Sequence, residues 1–134
     1  ANMIALIPNL ALKMGFDVGM SAEKIATLTH LSRLLDERLN IAPNRSAAYV
    51  GTRAFAHKGG LHVSAVEKDP RTYEHIDPEL VGNQRIIVVS DQAGRSNVVA
   101  RFRQIGLEID PKSPDVSKLL ELVKEREANG YAYD

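Results

Sequence analysis

Apolar side chains return at helical spacing through the first forty residues. Ile4, Ile7, Leu10 (or Ala11) and Met14 share one face across residues 2–14, and Gly15 is placed to end that helix. Pro8 lies inside it without an amide hydrogen, so a kink or an early start is expected there. A second stripe of Ile25, Leu28, Leu31 (or Ser32), Leu35 and Leu39 predicts a buried helical face running from a Ser21 N-cap to Asn40. Glu23 occupies its first turn, where the helix dipole favours negative charge. Arg33, Asp36, Glu37 and Arg38 fall mostly off the stripe, toward water.

The periodicity then stops. "IAPNRSAAYVGTRAF", residues 41–55, reads as an extended connector opened by the turn formers Pro43 and Asn44. A short helix is expected from about Leu61 to Lys68, halted by Asp69-Pro70, with one more helical turn at Pro78–Val81 before Gly82. "RIIVVS", residues 85–90, is an apolar β-branched run and the best strand. Beyond Gly94 and Arg95, Val98, Phe102 and Ile105 form the inward face of a helix that Gly106 ends. The last helix has an N-cap at Ser113, Pro114 in its first position and Asp115 beside it. Val116, Leu119, Leu120 and Val123 form its buried face, and Gly130 sits at the stop. The fold class is therefore mainly α: small helical lobes with one or two short strands. Sequence order suggests a first lobe over 1–76 and a second over 77–134.

With 134 residues and 44% hydrophobic content, the chain is long and apolar enough to build a core. Lysine plus arginine equals aspartate plus glutamate at 17 each, so charge gives no case for binding nucleic acid. There is no cysteine, which removes disulfides, thiolate metal sites and a cysteine nucleophile, and fits a reducing, cytoplasmic setting. No apolar run approaches the roughly 20 residues that span a bilayer. The opening "ANMIALIPNLALKMG" has no basic leader and is interrupted by Pro8, Asn9 and Lys13, so it does not read as a secretory signal. Because it starts without methionine, directly in amphipathic sequence, the chain is expected to be a piece of something longer.

Chemistry concentrates in "AFAHKGGLH", residues 54–62. Gly59 and Gly60 permit positive φ and close approach of another backbone or a ligand. A helix starting near Leu61 would aim free N–H groups at a carboxylate or phosphate, and Lys58 and Arg71 would add positive charge. His62, in the first turn, carries an imidazole able to move a proton near neutral pH. Tyr73, eleven residues on and beyond the Asp-Pro turn, is placed to fold back beside it. The competing reading is a polar turn followed by a structural histidine, and residue types alone leave both open. His57 reads as solvated, His30 as a surface or interface residue, and His75 makes no clearer case. His57 and His62 are five apart across two glycines, a spacing that suits neither one helical face nor one strand face, so no metal site is expected. "AHKGG" lacks the spacing of a P-loop, and "DQAGRSN" (91–97) reads as a strand-to-helix turn capped by Ser90 or Asp91.

"AFAHKGGLHVSAVEKDPRTYEHIDPELVGN" followed by "VVSDQAGRSN" closely resembles the region after the catalytic barrel in the 2-isopropylmalate, citramalate and homocitrate synthase family. "IPNLALKMG" is similar to the exit from that barrel, and "EREANGYAYD" to the end of its second accessory lobe. The family's common loop is Gly-Ile-His-Gln-Asp-Gly, whereas Gly60-Leu61-His62-Val63-Ser64-Ala65 looks more like the citramalate synthase branch. The resemblance implies a Claisen-type condensation of acetyl-CoA with a 2-keto acid, pyruvate favoured and 2-ketoisovalerate the alternative, in branched-chain amino-acid synthesis. It implies that His62 and Tyr73 are active-site residues given to a second subunit's barrel across a homodimer, with Lys58, Gly59, Gly60 and Arg71 near substrate or CoA. A divalent metal (zinc, magnesium or manganese) would lie on the (β/α)8 barrel, which this chain lacks. By itself the chain is therefore expected to bind no cofactor and show no activity. A non-catalytic helical interaction or dimerisation module is the alternative from a different class.

Overall fold

The computed structural model describes residues 1–90 and 92–131, and the chain divides into two compact units: 1–55 with 75–86, and 56–74 with the residues from 87 onward. The units are interleaved, where sequence order suggests consecutive lobes 1–76 and 77–134. Residues 75–86 return to the first unit because they carry part of its core: Val81 is fully buried there, and the His75 ring stacks on Phe55 at 5.8 Å and 15°. Among the described residues, no helix is long and apolar enough to cross a membrane.

In the first unit, helix α1 (Met3–Pro8) is capped by Asn2, whose Oδ1 accepts the Ile4 N–H at 3.1 Å. Pro8 is the last residue of this helix rather than its start. The ladder widens after it into a π-turn over Asn9–Lys13, in which the Met14 N–H reaches the Asn9 carbonyl at 3.1 Å. That wider turn changes the facing of the residues beyond it. Ile4, Ile7, Ala11 and Leu12 pack on the core, while Met14, expected on the inner face, is exposed.

The long helix expected from Ser21 to Asn40 is two: α2 (Ala22–Ile25) and α3 (Leu28–Arg38). At the break the chain meets residues 81–82: a Cβ on Gly82 would collide with the Ala26 carbonyl, and the Thr29 hydroxyl donates to the Val81 carbonyl at 2.7 Å. The helices therefore dock through Ile25, Leu28 and Thr29, and the expected buried positions Leu31, Leu35 and Leu39 are exposed. Residues 41–55 are not extended either. Successive turns close through Gly51 N–H to Ala47 O (2.9 Å) and Arg53 N–H to Arg45 O (2.8 Å). The buried Asn83 amide, far along the chain, ties them down by donating to the Tyr49 and Gly51 carbonyls at 2.8 and 3.0 Å.

Strands β1 (Ala56–His57) and β2 (Ile86–Ile87) run parallel, with Ile86 N–H to Phe55 O and Val88 N–H to His57 O each at 3.0 Å. The strand is shorter than 85–90 because its partner ends where Gly59 turns into helix α4 (Gly60–Lys68). Helices α5 (Arg95–Gln104) and α6 (Pro114–Ala128) complete the second unit. Val63, Ile87 and Ala100 cluster in its core, with Val66, Val98, Val116 and Val123 also buried. Ile105, expected inward, caps α5 and is exposed, whereas Phe102 is half-buried. Ser113 caps α6 through an Asp115 N–H bond of 3.2 Å.

Candidate functional site

Helix α4 forms because Val63 and Val66 bury one face and Gly59, extended at φ −73°, leads into its first turn. Neither Gly59 nor Gly60 adopts positive φ. The requirement at Gly60 is close approach: a Cβ there would meet the Gly94 nitrogen and Cα at 3.0 and 3.1 Å. The Gly60 N–H already donates to the Gln92 carbonyl at 3.3 Å, so part of the helix N-terminus expected for an anion is occupied by the chain itself.

At its other end, α4 stops at Asp69, whose N–H still reaches the Ala65 carbonyl at 2.9 Å. Pro70 then begins a 3-10 turn over Pro70–Thr72. Asp69 organises that turn: its Oδ1 accepts the Arg71 N–H (3.1 Å), and its carbonyl accepts the Thr72 hydroxyl (2.8 Å). The chain reverses, and the Tyr73 ring lies on the His62 ring with centroids 4.2 Å apart and planes 28° from parallel. Both rings are exposed, Tyr73 at 46%. An imidazole and a phenol thus sit together on an open surface, one able to accept or donate a proton and the other to donate a hydrogen bond.

Lys58 and Arg71, the cations expected beside the loop, are met by carboxylates. Arg71 grips Asp69 side-on, Nη2 to Oδ2 at 2.8 Å and Nε to Oδ1 at 3.0 Å. That guanidinium, followed by the Arg71 backbone N–H, holds the Asp69 carboxyl below its usual range, and Asp69 raises Arg71 in turn. Lys58 Nζ is 3.8 Å from Glu127 Oε1. Among the described residues, no three histidine or carboxylate side chains come together to hold a metal.

Three features were not foreseen in the sequence. His57 is not solvated but 8% exposed, with its Nε2 3.0 Å from Glu74 Oε1, itself buried. Nothing local signals a pair seventeen residues apart. Asn97, wholly buried, accepts the Gly94 N–H (3.0 Å) and donates to the Lys58 and Val88 carbonyls at 2.8 and 3.0 Å. The third is the Ser96 hydroxyl, which donates to the Gly60 carbonyl at 3.1 Å. The cap of α5 is therefore Gly94 with Asn97. Ser90, expected to cap it, instead accepts the Gln92 N–H at 3.3 Å in the preceding turn, and Asp91 lies outside the described residues. Asn97, three residues after the glycine, was the one legible sign of this clamp.

Comparison with known proteins bears on this region. A family model described as homocitrate synthase post-HMGL domain-like matches residues 49–130. The (R)-citramalate synthase of Aquifex aeolicus is 53% identical over all 134 residues, and that of Synechocystis 50% identical over the same span; these cover 25% and 24% of the two relatives. The homocitrate synthase AksA of Methanopyrus kandleri is 41% identical over 112 residues, 82% of this chain and 26% of that protein. The chain spans about a quarter of the length of the curated relatives it matches.

Proposed function

Since the chain belongs to the homocitrate synthase post-HMGL domain-like family, we propose that it is the accessory region of an acyltransferase that condenses acetyl-CoA with a 2-keto acid. Pyruvate, giving citramalate, is the favoured acceptor, in keeping with relatives named (R)-citramalate synthase. In this reaction the acetyl methyl group gives up a proton and its carbon bonds to the keto carbon. The carbonyl oxygen of the keto acid gains a proton. Water then cleaves the thioester, releasing the acid and the CoA thiol. His62 is the group that moves the methyl proton, and Tyr73 holds and orients it while offering its phenolic hydrogen to the reacting oxygens. Both act on a second subunit of a homodimer, with the region serving as a lid. Lys58, Gly59, Gly60 and Arg71 border the CoA side. The described residues do not suit the divalent metal that the resemblance implies, and no step here runs through one.

What supports this reading is the exposed stack of His62 on Tyr73 at 4.2 Å, two proton-bearing groups gathered by a turn on the molecular surface. A second reading, a helical interaction module, draws on the exposed leucines Leu31 and Leu35 of α3 and Leu39 at its C-cap. One experiment on the full-length protein separates them. A lid role predicts that His62→Gln lowers kcat by about 10²–10⁴-fold with folding intact, the range of positioned acid–base catalysis. Mixing that variant with subunits inactivated by a substitution outside residues 1–134 then restores activity, since only hybrid dimers pair an intact loop with an intact barrel. Unchanged turnover per site sinks the catalytic reading, and no recovery on mixing sinks action across the dimer.

A further inference from the structure

The segment between His57 and Glu74 contains both His62 and Tyr73, and its two ends are joined by a buried contact. His57 is fixed in β1, where its carbonyl accepts the Val88 N–H at 3.0 Å. Glu74 closes the turn after α4, its N–H donating to the Pro70 carbonyl at 2.9 Å. Their side chains meet at 3.0 Å with only 9% and 2% of their surfaces exposed. A hydrogen bond between two side chains so buried is costly to break, so the contact resists any slippage of residue 74 against residue 57. Tyr73 immediately precedes Glu74 and is exposed where Glu74 is buried. Holding Glu74 inward therefore holds Tyr73 outward, where its ring meets His62.

We propose that the His57–Glu74 pair is a buckle that positions Tyr73 on His62. This rests on the catalytic reading of His62. Neither buckle residue touches substrate; both are positioning residues. The pair adds what the Asn97 clamp does not: Asn97 fixes the start of the loop at Lys58, while the buckle sets where the returning end lies.

The test uses the full-length protein carrying Glu74→Ala and Glu74→Gln. Glu74→Ala is expected to lower kcat by about 10²-fold, the scale on which a displacement of about 1 Å acts, with the KM for the keto acid nearly unchanged. Glu74→Gln, which keeps one oxygen at the same reach and puts an amide NH2 in place of the other, restores most of the loss. A crystal structure of the Glu74→Ala protein is expected to show the two ring centroids parted beyond the ~7 Å limit of aromatic contact. A lower melting temperature with kcat per folded site unchanged, or rings still stacked, overturns the proposal. Should Glu74→Ala fail to fold, Glu74→Asp, one methylene shorter, is read in the same two ways. If His62→Gln is itself fully active, the catalytic reading has failed. If His62→Gln is inactive while Glu74→Ala turns over normally, only the buckle has failed.

Discussion

Ile25, Leu28, Tyr49, Val50, Phe55 and Val81 form a contiguous apolar core in the first unit, whereas the second gathers only Val63, Ile87 and Ala100 into its cluster. Both units add buried polar groups: Thr29 and Asn83 in the first, and in the second Asn97 with three hydrogen bonds and His57 on Glu74. Apolar burial is non-directional and tolerates small shifts of register. Hydrogen bonds are lost when angles drift, and a buried group left unmade is expensive. A core of the first kind suffices to hold helices together. Presenting one imidazole against one phenol calls for the second kind, and the unit that does so holds both Asn97 and the His57–Glu74 pair.

If this contrast holds, the first unit answers to shape and the second to hydrogen bonding. The largest stability effect is expected at Gly82, at φ +69° against the Ala26 carbonyl. Gly82→Ala adds both left-handed strain and a backbone collision, and should cost about 3 kcal/mol or more in denaturant unfolding. Asn97→Leu keeps the approximate volume and removes the amide. Its expected cost is about 2–3 kcal/mol, with faster amide exchange in the Gly94 turn. A neutral Asn97→Leu would erase the distinction between the units. The smallest effect belongs to the exposed Asp69–Arg71 pair. Its lowered Asp69 pKa means a slight stabilisation, present above the ordinary carboxylate pKa and lost as pH falls through the lower folded value. Arg71→Ala should return the Asp69 titration toward its ordinary position in an NMR pH series, with little change in neutral-pH stability.

How much of this was legible depended on the range of the forces involved. Ser113-Pro114 and Asp69-Pro70 act within a few residues, so the start of α6 and the end of α4 stand where the sequence puts them. The reversal that brings Tyr73 to His62 is local for the same reason. The facing of α3 was not legible, because the residues that meet its start, Val81 and Gly82, lie more than fifty positions from Leu28. Likewise His57 looks solvated until Glu74 is seen against it. Its burial depends on the whole turn between them. The wider turn after Pro8 also escaped the pattern, since a helical repeat counted from Ile4 assumes an unbroken pitch.

Because the chain passes between its compact units at 55/56, 74/75 and 86/87, neither unit is one continuous stretch of sequence. An exchange between relatives made at a single junction divides at least one of them, and both when it falls between residues 56 and 86. A cut after residue 76 would leave Val81 and Gly82 from one parent against Ala26 and Leu28 from the other. A chimaera meant to transplant the unit that bears the histidine loop therefore needs all three breakpoints, bringing residues 56–74 together with those from 87 onward. The partners Asn97 and Ser96 then travel with the glycines they hold.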